Sequence, residues 1–148
     1  MKDRFSDFGL LLLRVAIGLG LMYHGWLKVT LGIEHSADMI AKMGTPFDYA
    51  PLAFAWLSTL AELLGGFFLF LGLWTRYAAI ALIINMSVAS FAAMAGKPII
   101  SAAAPITRET PLLYLVAVAV IFIIGPGRFS VDGSRSGKRA SAPKKARR

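Results

Sequence analysis

No cysteine occurs anywhere in the 148 residues. That absence removes disulfides, thiol redox chemistry and thiolate metal sites from consideration. Histidine is scarce as well, with two residues, His24 and His35. His24 falls in an apolar segment and His35 in a polar loop, so bis-histidine haem ligation is not expected, and no metal site is. Acidic residues number eight against sixteen Lys and Arg. The resulting charge of +8 is unevenly placed, because eight of the sixteen basic residues follow Gly127. The basic cluster from Lys138 to Arg148 has no aromatic beside it and no nucleic-acid motif. It reads as a topology anchor facing anionic lipid, with no nucleic acid as partner. The stretch "GLGLMYHG" (Gly18–Gly25) lacks the strand before it and the acid after it that a dinucleotide loop requires. No internal repeat is present.

What the sequence has in excess is apolar surface. Hydrophobic residues make up 57% of the chain, with a mean hydropathy of +0.65. A soluble domain of this size has too little interior to hide that fraction, and a bilayer is the alternative solvent. Four apolar segments stand out, at about 8–28, 51–74, 76–95 and 109–125. A spanning helix needs about 20 residues. The first three qualify, and the fourth must borrow a turn from Thr107–Thr110 or sit where the bilayer thins. Thr110 is placed to cap the fourth helix, with Pro111 at its first position. Lys2 and Arg4 resemble a signal n-region, but the run is long and contains Arg14, so a retained helix is expected.

The expectation is therefore an all-α polytopic membrane protein. Residues 1–129 form an antiparallel bundle of four transmembrane helices, and 130–148 form a disordered basic tail. A short interfacial helix is expected at Ser36–Met43 in the first loop, ended by Gly44. Basic residues orient the bundle. Lys2, Arg4, Arg76 and the eight basic residues after Gly127 lie on one side, against Lys28, Lys42, Lys97 and Arg108 on the other. Both termini are thereby placed in the cytoplasm.

The apolar segments carry polar residues that cost roughly 2.5 to 3.5 kcal/mol per charge to insert. These are Arg14, His24 and Lys28 on the first helix, Glu62 on the second and Asn85 on the third. Tyr114 lies near the outer end of the fourth. At about 1.5 Å per residue, Arg14 falls about 9 Å below Glu62 and His24 about 6 Å above it. Glu62 is expected to pair with Arg14, with Asn85 and His24 in the same network. Gly18, Gly25, Gly65 and Gly66 lie beside these residues and suit close helix packing. Two readings stay open. The cluster is either an ionic lock for the bundle or a ligand and proton site, and the titratable His24 and Lys28 exceed what a lock requires. No catalytic residue can be named.

The motifs "RVAIGLGLMYHGWLKV" (Arg14–Val29), "AELLGGFFLFLGLWTRYAA" (Ala61–Ala79), "ETPLLYL" (Glu109–Leu115) and "GPGRFSVD" (Gly125–Asp132), in this order and spacing, resemble the DoxX family of small four-helix membrane proteins. The resemblance spans about residues 8 to 132. It carries over Arg14, His24, Gly25, Lys28, Glu62, Gly65, Gly66, Arg76 and Glu109. It implies a place in the bacterial inner membrane beside an oxidoreductase system. The family includes the DoxD-type large subunit of thiosulfate:quinone oxidoreductase, and cytosolic redox proteins are the implied partners. The chain has no redox side chain and no cofactor motif, so no intrinsic cofactor is expected and a bound quinone is the candidate ligand. A non-catalytic scaffold for cytosolic proteins is the alternative. A small-metabolite carrier would have to work as a homo-oligomer.

Overall fold

The computed structural model describes residues 2–102 and 107–134, with side chains from Arg4 onward. Five α-helices account for most of them: α1 (Lys2–Thr30), α2 (Ile33–Ala41), α3 (Pro51–Leu71), α4 (Thr75–Val88) and α5 (Glu109–Ile124). A five-residue π-helical turn, Ala89–Ala93, prolongs α4. Helices α1, α3 and α4 with its extension are long and apolar enough to cross a membrane. At 16 residues, α5 is shorter and equally apolar.

Local sequence explains the breaks. Pro51 opens α3 at a position where its missing N–H has no partner to lose. Gly72 closes α3 in the left-handed region (φ 66°), and Leu73 N–H then donates to Phe68 O at 3.0 Å. Only three residues separate α3 from α4, so the two run antiparallel. Gly125, at φ 92°, ends α5. The start of α5 differs from the sequence expectation. Arg108 takes the N-cap position, Glu109 opens the helix and Pro111 sits third. Proline is tolerated there because the first-turn N–H groups need no intrahelical acceptor. The first loop also shifts, with its helix beginning at Ile33, three residues before the expected Ser36.

Packing runs from α1 to α3, from α3 to α4 and from α4 to α5, and α5 returns to touch α1. Glycines permit the closest approach. A Cβ on Gly18 would lie 2.7 Å from the Gly66 carbonyl oxygen, and one on Gly66 would lie 2.7 Å from that of Gly18. Gly25 similarly meets Leu63, and Gly65 meets Leu82. Leu21, Leu69, Leu82, Val118 and Ile121 fill the interior. Helix α2 covers one end of α3, burying Ile33 and Ala37 against Ala55. Large apolar side chains line the outside, including Leu12, Trp26, Leu57, Leu64, Tyr77, Ile84, Leu113 and Ile123. Such a surface matches a lipid environment.

The chain after α5 corrects the expected tail boundary. Residues 131–134 form one helical turn, and Ser130, buried, caps it by accepting from Gly133 N–H at 2.9 Å. Asp132 N–H donates to Gly72 O at 3.0 Å. The Asp132 carboxylate accepts from Trp74 N–H (3.1 Å), Thr75 N–H (2.9 Å) and Thr75 Oγ1 (3.0 Å). Helix α4 has no side-chain cap from its own N-cap residue, Trp74, and Asp132 supplies one from 57 residues away. The rest of the expected tail, 135–148, lies outside the described residues.

Candidate functional site

Glu62 sits midway along α3 and is 4% exposed. Its Oε1 accepts from Lys28 Nζ at 2.7 Å and from Asn85 Nδ2 at 3.2 Å. Lys28 also donates to Ser58 Oγ at 2.9 Å. Ser58 and Glu62 are one helical turn apart, so both face α1 and can share one ammonium. One acid on α3 is therefore held by a cation from α1 and an amide from α4.

The expected Glu62–Arg14 pair is corrected: the cation on Glu62 is Lys28. Register is the cause. With Gly25 against Leu63, Glu62 lies within about a turn of Lys28 and about three turns from Arg14. Arg14 serves the other end of the molecule. It is 1% exposed and donates through Nη2 to the Phe129 carbonyl. Its guanidinium occupies the space where Gly72 lacks a side chain, and the charge acting on it is that of Asp132.

Next to the ion pair lies a half-open cavity of about 700 Å³, with the exposed Leu57 and Ile84 at its rim. Its polar lining includes Glu62, Lys28, Ser58, Asn85, His24 and Tyr114, with Ser36, Thr107 and Thr110. The remainder is largely apolar. Met39, Ile40 and Met43 come from α2 and its end, Phe54 and Leu57 from α3, and Ile84 and Ala89 from α4 and its π-turn. The His24 and Tyr114 rings meet edge to face at 5.5 Å, and the Tyr114 hydroxyl lies over Gly20, where any Cβ would collide with it. Phe47 and Phe54, which also line the cavity, form a second edge-to-face pair at 5.2 Å.

Of the residues singled out in the sequence, Lys28, Glu62 and Asn85 are joined by direct bonds. His24 and Tyr114 share their cavity. Arg14 belongs to a separate cluster with Phe129 and Gly72. Glu109, exposed at the start of α5, and Arg76, exposed at the start of α4, do not line the cavity. His35 is exposed on α2. Ser58 and Gly20 were missing from the expected site. Ser58 lies one turn before Glu62, which was a usable signal, whereas nothing in the local sequence links Gly20 to Tyr114. Among the described residues, no three His, Asp or Glu side chains come together as a metal site.

A family model, DoxX, matches residues 9–95. No curated protein and no solved structure matches the chain. The matched stretch runs from within α1 through the π-turn and takes in Lys28, Glu62 and Asn85. The match covers more than half of the chain and its helices are apolar enough to span, so the protein is a multi-pass membrane protein of the DoxX family.

Proposed function

We propose that four helices, α1, α3, α4 with its π-turn, and α5, cross a bacterial inner membrane as a bundle with both termini in the cytoplasm. In this reading the cavity binds a quinone or a similar small apolar molecule, and the protein is the membrane subunit of an oxidoreductase system. The observation that carries the reading is the cavity itself: about 700 Å³ of mostly apolar space with an ion pair and two further polar rings in its lining. Ligand sites have this character, apolar bodies with a few convergent polar groups. A lock alone requires no such space.

The residues fit a quinone. Lys28 has three N–H donors, of which Glu62 and Ser58 take two. The third, with His24 and the Tyr114 hydroxyl, provides donors for ring carbonyls. The Met, Phe and Leu walls suit an apolar ring and chain. A bound quinone would supply two-electron, two-proton chemistry. The chain's own part would be to seat the ring, exclude water and hold a proton at Glu62 or His24, with Asn85 fixing the Glu62 carboxylate.

The test is purification of the whole protein in mild detergent, organic extraction and mass spectrometry of the extract. The expected result is a quinone or similar apolar metabolite at near-stoichiometric amount, depleted when His24→Ala and Tyr114→Ala are combined. An extract holding phospholipid alone, and a melting temperature unmoved by added quinones, would overturn the reading. A scaffold for cytosolic proteins is the second reading. Its support is the turn at 131–134, which fixes the start of the basic segment beside the α3–α4 connection.

A further inference from the structure

The Glu62 carboxylate is half satisfied. Oε1 takes two donors, from Lys28 and Asn85, while Oε2 is buried and finds none among the described residues. A buried polar atom without a partner is rare and calls for a physical reason. As the anion of an ion pair, a carboxylate only accepts hydrogen bonds. Ser58 Oγ accepts from Lys28, and neither its hydroxyl nor His24 nor Tyr114, which line the same cavity, bonds to Oε2. Glu62 lines the cavity, and its broad terminal torsion lets the carboxylate turn as a unit, Oε1 with Oε2, to meet a group seated there. The group that completes the site must therefore bring its own donor.

We infer that the cavity selects a ligand whose polar end is a hydroxyl on an apolar aromatic body, a phenol or hydroquinone, over the corresponding quinone. This rests on the reading of the cavity as a small-molecule site and adds the direction of the hydrogen bond. A hydroquinone hydroxyl donates to Oε2, and its oxygen accepts from Lys28 or Tyr114. A quinone carbonyl can accept from Lys28, His24 or Tyr114 but brings no donor, so it leaves Oε2 unpaired. Four aromatic side chains in the lining, His24, Tyr114, Phe47 and Phe54, offer ring faces and edges that favour an aromatic body over a chain.

The experiment uses the full chain in detergent, without oxygen, with three probes: tetramethylhydroquinone, tetramethylquinone and the dimethyl ether of the hydroquinone. Binding is read by calorimetry and by the shift in melting temperature. A hydrogen bond to a charged acceptor is worth a factor of about 10 to 100. The hydroquinone should thus bind at least about tenfold tighter than either other probe. In Glu62→Gln the amide oxygen can keep the Lys28 and Asn85 bonds, and the amide nitrogen replaces Oε2 with a donor. The preference should then fall away or turn toward the quinone. Equal binding of the three probes to the unmodified protein, as expected if water completes Oε2, would overturn the inference and leave the cavity reading standing. So would tighter binding of the quinone. Binding of none of them would overturn the cavity reading for aromatic ligands and this inference with it. The comparison on the unmodified protein decides the matter even where Glu62→Gln fails to accumulate.

Discussion

At the scale of single residues, the Lys28–Glu62 pair sets the chemistry and part of the stability. Glu62 is buried and Lys28 is partly exposed, so only one partner bears the full cost of leaving water. Replacing Glu62 by Gln leaves the ammonium short of its counter-ion. The expected loss is about 2 to 3 kcal/mol, below the range for a fully buried pair because Lys28 keeps some solvent access. Lys28→Met combined with Glu62→Leu should recover most of it, since two apolar side chains replace two charges. Arg14→Gln should not rescue Glu62→Gln, and the two losses should add, because separate clusters hold these residues. Thermal unfolding in detergent of the singles and both doubles checks this. Rescue by Arg14→Gln would contradict the observed pairing. The sequence showed that Arg14, Lys28 and Glu62 all sit within apolar helices, but not which cation meets the acid. Helix depth counted from span ends was too coarse. The register is set by Gly18 against Gly66 and Gly25 against Leu63, and the counter-charge at Arg14 comes from Asp132, 118 positions along.

At the scale of elements, glycines and caps decide how the helices meet. Gly66→Val pushes a branched Cβ into the Gly18 carbonyl, 2.7 Å away, and toward the Met22 nitrogen at 3.0 Å. Both are backbone atoms that cannot swing aside, so about 1 to 3 kcal/mol of stability should be lost. Gly9→Ala is the control: nothing lies within 4 Å of its added Cβ, and alanine favours the helix by up to about 1 kcal/mol. Expression level and melting temperature should fall for the first and hold or rise for the second. The α4 cap gives a sharper case. Asp132→Ala removes three hydrogen bonds from Trp74 and Thr75 and should cost about 1 to 2 kcal/mol. A chain ending at Ser134 should melt like the full protein, while one ending at Phe129 should melt at a lower temperature. Equal melting of the two truncations would show that the turn contributes nothing to the fold. The sequence placed a tight turn between the second and third apolar segments at Thr75-Arg76; the connection is tight but falls at 72–74, where Gly72 takes the left-handed conformation. The end of α5 was legible from Gly125. The capping turn was not. Local composition at 130–134 is Ser-, Gly- and Asp-rich and reads as loop, and only the tertiary position of the α4 N-terminus gives Asp132 its role.

At the scale of the whole molecule, the distribution of charge bears on orientation in the membrane. Lys28 was counted among the loop charges of the first connection, yet it lies inside α1 and is neutralised by Glu62. Removing it from the count leaves Lys42, Lys97 and Arg108 at the Lys28 end, against Lys2, Arg4, Arg76 and the eight basic residues after Gly127 at the other. The asymmetry is therefore larger than the sequence count implied. Positive residues near span ends resist translocation, so a reporter enzyme fused after Arg148 should be active only where it stays in the cytoplasm, and one placed in the first connection at Lys42 only outside. The assignment of four spans turns on α5, whose 16 residues rise about 24 Å, short of a hydrocarbon core of about 30 Å. A helix of that length spans where the bilayer thins beside it or where flanking residues carry the chain onward. If α5 lay on the surface instead, the C-terminus would fall on the opposite side from the N-terminus. Reporters at Lys42 and after Arg148 would then give the same reading, and that result would reduce the spans to three.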